Sequence, residues 1–249
     1  AVPTAGGSMV SGLVRTARPR QWVKNVLVFT APLAAGEILH LPSLLACALA
    51  FVAFSLSASA VYLVNDSRDV EADRAHATKR NRPIAAGIVP VKAAVATAVV
   101  LFLVGLAVAA AVSWELVAVI AVYDLVQLAY CIWLKHVSLI DIAIVSSGFL
   151  LRAIAGAAAT GVELSQWFLI VAVFGSLLMV SGKRYAEILT EPEGGAVRGS
   201  LKGYTPGYLR FVWQSAAAIL VLGYSLWAFG GTQENDPQAG DPLWTSLSV

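Results

Sequence analysis

The 249-residue chain is 58% hydrophobic and 13% charged, with a formal net charge of +2 and a mean hydropathy of +0.76. Soluble proteins carry roughly 25% charged residues, so a water-soluble monomer is excluded, and disorder, which needs low hydrophobicity and high charge, goes with it. The two cysteines, Cys47 and Cys131, both lie in apolar runs; they rule out a disulfide scaffold and read as small buried side chains.

Crossing the apolar core of a bilayer takes about 20 residues of α-helix. Apolar stretches near that length occur at 43–64, 89–112, 116–134, 139–160, 164–182 and 207–229, and each predicts a transmembrane helix. A shorter stretch ahead of them, 25–39, carries Pro32 and predicts a tilted or broken first span. Pro242 and Leu243 open a further helix that is incomplete at Val249. Residues 1–249 therefore read as one all-α integral membrane domain of seven spans plus an incomplete eighth. Residues 1–17 read as an N-terminal tail, and its start, Ala1 to Ser8, lacks the basic-then-apolar order of a signal peptide. Thr205 before Pro206 predicts the cap and first turn of the seventh span, Gly230-Gly231 its end, and Glu191 to Ser200 a flexible connector.

Set against that alternation of sides, 16 of the 17 lysines and arginines fall on one face of the membrane. Arg15, Arg18, Arg20 and Lys24 precede the first span, and Arg68, Arg74, Lys79, Arg80, Arg82 and Lys92 follow the second. Lys135 lies in the fourth turn, and Lys183, Arg184, Arg198, Lys202 and Arg210 flank the sixth connection. The opposite loops carry Glu37, Glu115, Glu163, Glu234, Asp236 and Asp241 without a base. The positive-inside rule makes the basic side cytoplasmic, as in a multi-pass plasma-membrane protein. Charge gathered at one surface suits an enzyme acting on a lipid head group better than a transporter, whose site belongs near the midplane; a transporter or non-catalytic scaffold is the weaker reading. Rossmann or P-loop glycine patterns are absent, and nucleic acid has no evident binding element.

The connection after the second span reads Asn65-Asp66-Ser67-Arg68-Asp69-Val70-Glu71-Ala72-Asp73-Arg74. Asp66, Asp69 and Asp73, at i, i+3 and i+7, fall within about 60° of one helical face. Three carboxylates there repel one another unless a cation is present, and magnesium suits them because it takes oxygen ligands and shares them with substrate phosphates. The blander alternative is a solvated, capped helix end. Lys79-Arg80-Asn81-Arg82-Pro83 follows at once, and acids for a metal beside guanidinium forks for phosphate suit a metal diphosphate.

Asn65-Asp66-x-x-Asp69-x-x-x-Asp73, followed by Arg80-Asn81-Arg82-Pro83-Ile84-Ala85-Ala86-Gly87, resembles the first signature of the UbiA superfamily of intramembrane prenyltransferases, and the span pattern agrees to about residue 230. The resemblance implies a helical bundle, commonly of nine spans, with a cytoplasm-facing magnesium-diphosphate site, so that 249 residues read as most of a family member. Members that prenylate aromatic acceptors carry a second acidic motif after the sixth span; here that stretch is Gly182-Lys183-Arg184-Tyr185-Ala186-Glu187, one acid against two bases. Together with Arg18-Pro19-Arg20-Gln21-Trp22-Val23-Lys24-Asn25, Leu134-Lys135-His136 and Tyr204-Thr205-Pro206, it is similar to the decaprenyl-phosphate phosphoribosyltransferase branch, with Tyr185 where a third base is expected.

That branch implies transfer of a 5-phosphoribosyl group from phosphoribosyl pyrophosphate to polyprenyl (decaprenyl) phosphate, releasing pyrophosphate, for arabinan in the cell wall. Prenyl transfer from a polyprenyl diphosphate to an aromatic acceptor is the alternative. On this resemblance Asn65, Asp66, Asp69 and Asp73 hold Mg2+, the three aspartates being catalytic. Lys24, Asn65, Arg80, Arg82, Lys135, Asp141, Lys183 and Arg184 bind substrate, within cytoplasmic loops 65–88 and 183–206 and at helix ends. The acceptor phosphate is already ionised, so three histidines suffice, and His76 reads as a solvated loop residue. Partners are the two substrates and the bilayer, and a homo-oligomer is left open. Deeper in the bilayer, Asp124 and Arg152 both lie about 16 Å from the cytoplasmic helix ends, which predicts an ion pair joining the fourth and fifth spans, with a functional role for Arg152 as the alternative.

Overall fold

The computed structural model describes residues 8–134, 138–190 and 203–234. In chain order these form α1 (Met9–Ala17), a 3-10 segment (Pro19–Phe29), α2 (Thr30–Ala34), a 3-10 turn (Glu37–Leu39), α3 (Leu41–Arg68), α4 (Val70–Ala75) and a 3-10 turn (Lys79–Asn81). The long helices α5 (Val91–Ala110), α6 (Trp114–Ile132), α7 (Ser138–Thr160), α8 (Gln166–Thr190) and α9 (Pro206–Glu234) follow. Six of them, α3 and α5 to α9, are long and apolar enough to cross a membrane, at the six positions where apolar runs predict them. Val95, Val99, Leu103 on α5 and Val221, Leu222 on α9 are exposed, as lipid-facing residues should be. Lys135, the residues after 234 and the 191–200 connector lie outside the described residues.

The expected first span at 25–39 is not a continuous α-helix. Its first half winds as a 3-10 helix, α2 has only five residues around Pro32, and the chain turns at Gly36 with φ 75°. Pro32 has no N–H to donate to the carbonyl four residues back, at Val28, so the regular ladder ends there. The broken segment is laced antiparallel along α3. Arg18 bonds Asp66, Trp22 Nε1 donates to Ser59 Oγ at 3.0 Å, Asn25 Nδ2 donates to Ser55 Oγ at 3.0 Å, and the Phe29 and Phe51 rings lie 6.4 Å apart. From Asp66 to Phe51 α3 covers about 22 Å, which the facing segment from Arg18 to Phe29 covers at about 2.0 Å per residue, the rise of a 3-10 helix. Three residues per turn also put Trp22, Asn25 and Val28 in one row. Asn25 and Val28 are buried and Trp22 half-buried, while Val23 and Val26 face outward.

The described residues of 8–163, with Gly203, make one compact unit, and those of 164–190 and 204–234 a second. In the first, Cys47, Ala50, Phe54, Leu116, Ile120, Tyr123, Cys131 and Ala155 share one core, where both cysteines are buried thiols outside any disulfide, as expected. A second core gathers Ala60, Leu63, Ile84, Val89, Ala94 and Ala98. Small residues bring α3 and α5 together: a Cβ on Gly105 would stand 3.3 Å from the Ala53 carbonyl. Ser113 caps α6 by accepting from Leu116 N and donates its hydroxyl to Ala158 O at 2.7 Å, tying α6 to the end of α7.

Asp124 and Arg152 do not pair. Asp124 Oδ2 accepts from Ser57 Oγ of α3 at 3.2 Å, whereas Arg152 Nη2 donates to the hydroxyl of Tyr123, its neighbour on α6, at 3.0 Å. Consecutive helical residues point about 100° apart, so equal depth in the bilayer brought the two residues level without making them face each other.

In the second unit α8 packs along α9, with Gly182 against the Trp213 indole and the Tyr185 ring stacked on Trp213 at 6.4 Å. Thr205 Oγ1 accepts from Tyr208 N at 3.1 Å, the expected cap. The α9 helix runs past Gly230-Gly231 to Glu234, because a glycine pair weakens a helix without breaking it. Likewise α8 continues to Thr190, so Lys183 and Arg184 stand on helix rather than in the loop expected at 183–206.

Candidate functional site: an arginine-bridged carboxylate cleft

The site grows from the cytoplasmic end of α3. Asp69 closes α3 at φ −92°, ψ 7°, and α4 resumes at Val70 with Asp73 N donating to Asp69 O at 2.8 Å. The near-helical continuation keeps the i, i+7 relation, and Asp66 and Asp73 are both buried.

Two arginines from distant parts of the chain meet these carboxylates. Arg82 Nη1 stands between them, 3.1 Å from Asp66 Oδ1 and 2.8 Å from Asp73 Oδ2. Arg18 Nη2 donates to both Asp66 oxygens, at 2.9 and 3.1 Å, and its guanidinium lies 4.6 Å over the Tyr62 ring. Such pairing offsets the several kcal/mol that a lone buried carboxylate would cost. Arg82 is placed by the turn after it. Ile88 N and Val89 N both donate to Pro83 O, Gly87 takes φ 78° where a side chain would be strained, and Ile84 and Val89 sink into the second core. The Arg-x-Arg-Pro-Ile part of the motif is thus a guanidinium mounted on an apolar anchor.

A cleft of about 320 Å³ opens beside these groups, lined by Arg15, Thr16, Arg18, Asp66, Thr78, Asn81, Arg82 and Pro83. Three arginines and several residues able to form neutral hydrogen bonds line it, a composition suited to phosphate oxygens. Arg15 and Arg18 line the cleft but lie outside the ligand set expected from the sequence. In the sequence Arg15 stands out only as a charge on the cytoplasmic side, and Arg18 also as the first residue of the basic opening motif, although their i, i+3 spacing beside buried Gly12 and Thr16 marks the end of an amphipathic helix turned toward the protein.

Of the expected site residues, Asp66, Asp73 and Arg82 come together. Asn65 Nδ2 reaches Asp66 Oδ1 at 3.4 Å, and half-buried Asp69 sits at the α3–α4 junction. Arg80 is exposed on the 3-10 turn, and Lys24 is half-buried on the 3-10 segment. Asp141 is fully buried and accepts from the Tyr130 hydroxyl, a latch between α6 and α7 outside the lining of the cleft. In the second unit Arg184 donates to Glu187 at 2.7 Å and Lys183 lies 3.7 Å from the same carboxylate. His76 is exposed and accepts from Thr78 N at 3.3 Å, an ordinary loop histidine.

A cation fits between Asp66 and Asp73, since a guanidinium nitrogen already bridges them and both donors are oxygen. Among the described residues no three acidic, imidazole or thiol side chains converge, so the protein offers a partial ligand set. That is the usual magnesium arrangement, one or two carboxylates completed by water and substrate phosphate.

Residues 26–182 match the model of the UbiA prenyltransferase family. The decaprenyl-phosphate phosphoribosyltransferase of Corynebacterium glutamicum is 55% identical over 247 residues, covering 97% of this chain and 74% of that protein. The enzyme of the same name from Mycobacterium tuberculosis H37Rv is 53% identical over 97% of this chain and 80% of its own length. Among solved structures, a UbiA homolog from Archaeoglobus fulgidus bound to DMAPP and Mg2+ superposes with a TM-score of 0.71 at 18% identity, covering 88% of this chain and 77% of that one. A structure described as that of digeranylgeranylglyceryl phosphate synthase gives a TM-score of 0.64 at 16% identity, over 88% and 78% of the two chains.

Proposed function

The chain belongs to the UbiA prenyltransferase family, and we infer from its likeness to the decaprenyl-phosphate phosphoribosyltransferases that it catalyses the same transfer. Phosphoribosyl pyrophosphate loses the bond between its anomeric carbon and the pyrophosphate oxygen, an oxygen of decaprenyl phosphate bonds that carbon, and pyrophosphate leaves. The observation that carries this reading is the cleft itself, in which Arg15, Arg18 and Arg82 converge beside two buried carboxylates.

Charge moves from the ribosyl ring onto the departing pyrophosphate, so the main demand is a prearranged field. Magnesium held by Asp66 and Asp73, with Asn65 and Asp69 beside them, would supply Lewis-acid neutralisation of that pyrophosphate. Arg18, held by Asp66, and Arg82, released as a metal ion takes its place between the two carboxylates, bind phosphate oxygens through planar forks, and Arg15 extends the basic wall. Because the acceptor is an ionised phosphate, the site needs no general base. Lys24, Arg80, Lys135, Lys183 and Arg184 are proposed phosphate ligands on sequence grounds, and Asp141 a support for the α6–α7 pair. Prenyl transfer to an aromatic acceptor is disfavoured, since the lone acid of the Gly182–Glu187 stretch is engaged by Lys183 and Arg184.

The one-sided charge supports an active site facing the cytoplasm of a plasma-membrane protein. We assign the first of seven crossings to the 3-10 segment with α2, the rest to the six apolar helices.

Purified protein with magnesium, labelled phosphoribosyl pyrophosphate and decaprenyl phosphate is expected to move label into lipid and release pyrophosphate. Prenylation of an aromatic acid without such transfer would select the other reaction. Arg18→Ala is expected to raise KM for phosphoribosyl pyrophosphate at least about tenfold. Alanine at Lys24, Arg82 or Lys183 should abolish turnover in inserted, folded protein; wild-type rates in all three would overturn the donor-site assignment.

A further inference from the structure

Arg152 is a guanidinium on a membrane-spanning helix, 8% exposed, and among the described residues no carboxylate pairs with it. A charge there is costly, and an apolar side chain of similar volume often serves a buried position equally well, so bundle stability alone does not account for it. Its donors go to neutral acceptors: Nε to Asn25 Oδ1 at 2.7 Å, Nη2 to the Tyr123 hydroxyl at 3.0 Å, and Nη1 to the Gly148 carbonyl. The rings of Phe54, Tyr123 and Phe149 surround it at 5.0 to 5.9 Å.

The destination of the Nε bond decides what this arrangement does. Asn25 belongs to the 3-10 segment that Arg18 caps at its start, and it is 1% exposed. It accepts from Arg152 of α7 through its oxygen and donates to Ser55 of α3 through its nitrogen. The segment is therefore pinned from both sides at one residue. On α7 the dock continues one turn on at Gly156, where the Val28 carbonyl comes so close that a Cβ would lie 1.9 Å from its oxygen. On α3 it continues through Ser59 to Asp66, the partner of Arg18.

We propose that Arg152 is a positioning residue for the donor site: through Asn25 it sets the depth at which the Pro19–Phe29 segment lies between α3 and α7, and so where Arg18 stands against Asp66 and the cleft. A 3-10 helix has strained hydrogen bonds and is uncommon at this length, so it needs an external clamp to hold a register. Arg152 supplies one with three donors in a fixed plane. The proposal rests on the reading of Arg18 as a ligand of the pyrophosphate donor.

The test uses the full chain, purified in detergent. Arg152→Met keeps the bulk and removes every donor; Asn25→Ala removes the receiver. Each is expected to raise KM for phosphoribosyl pyrophosphate about tenfold, with kcat per folded molecule within about threefold of wild type. A merely structural role would instead lower the folded fraction at unchanged KM. The double variant is expected to be no worse than the worse single, because both changes release one clamp. Amide exchange in the peptide covering 19–29 should quicken in both singles, and Arg152→Lys, which can serve fewer acceptors, should fall between wild type and Arg152→Met. Wild-type KM in Arg152→Met and Arg152→Lys, or effects that multiply in the double variant, overturn the proposal. Arg18→Ala separates it from the reading beneath: unchanged KM there overturns the role of Arg18 and this inference with it, whereas raised KM there and wild-type KM in the other two overturns the inference alone.

Discussion

Asp66→Asn is expected to cut phosphoribosyl transfer by at least about 100-fold, the scale on which a single prearranged electrostatic group acts at a transition state. The amide preserves shape and one acceptor oxygen, so the change removes charge rather than volume. Asp66 is the node of the site: it receives Arg18 on both oxygens and shares Arg82 with Asp73. Its neutralisation weakens the hold on both guanidinium groups and removes half of the bridged carboxylate pair together. Asp73→Asn touches only the Arg82 bridge among these contacts and is expected to cost less. Initial rates per folded molecule, with label followed from phosphoribosyl pyrophosphate into lipid, check both. A rate for Asp66→Asn within a few-fold of wild type would show that the cleft does not hold the reacting diphosphate.

The largest structural effect is expected at Gly156. The Cβ of Gly156→Ala would stand 1.9 Å from the Val28 oxygen and 2.9 Å from its carbonyl carbon, and neither atom belongs to a side chain that can rotate away. The segment or α7 must shift, which places the cost at the upper end of overpacking, about 3 kcal/mol. Thermal unfolding in detergent should show a clear loss of stability. Gly207→Ala is the control: a Cβ there meets nothing within 4 Å, and alanine favours helix, so its transition should stay or rise slightly. Equal transitions for the two variants would mean that the 3-10 segment does not press on α7.

The aspartates of the motif were legible because charge among apolar runs stands out, and because i, i+7 spacing survives a slight break at Asp69. The six apolar helices were legible because bilayer thickness sets their length. Cap chemistry at Thr205 was legible too, being local. Arg18 was not, since its partner lies 48 residues away and its charge alone satisfied the topological rule. Nor was the 3-10 winding, which shows in the row of Trp22, Asn25 and Val28 only once α3 and α7 are known to flank it.

By itself the sequence determined a polytopic membrane protein, its side-to-side asymmetry, and acids next to bases after the second apolar run. Those properties follow from composition and local spacing, which the bilayer reads directly. Tertiary structure alone decided that Arg82 and Arg18 converge on Asp66, that Arg152 turns to Asn25 rather than Asp124, and that the first segment is laced to α3 as a 3-10 helix. The physical reason is that membrane depth is encoded one residue at a time, whereas facing depends on how helices are rotated against one another, which close contacts such as Gly156 on Val28 settle only in the folded bundle.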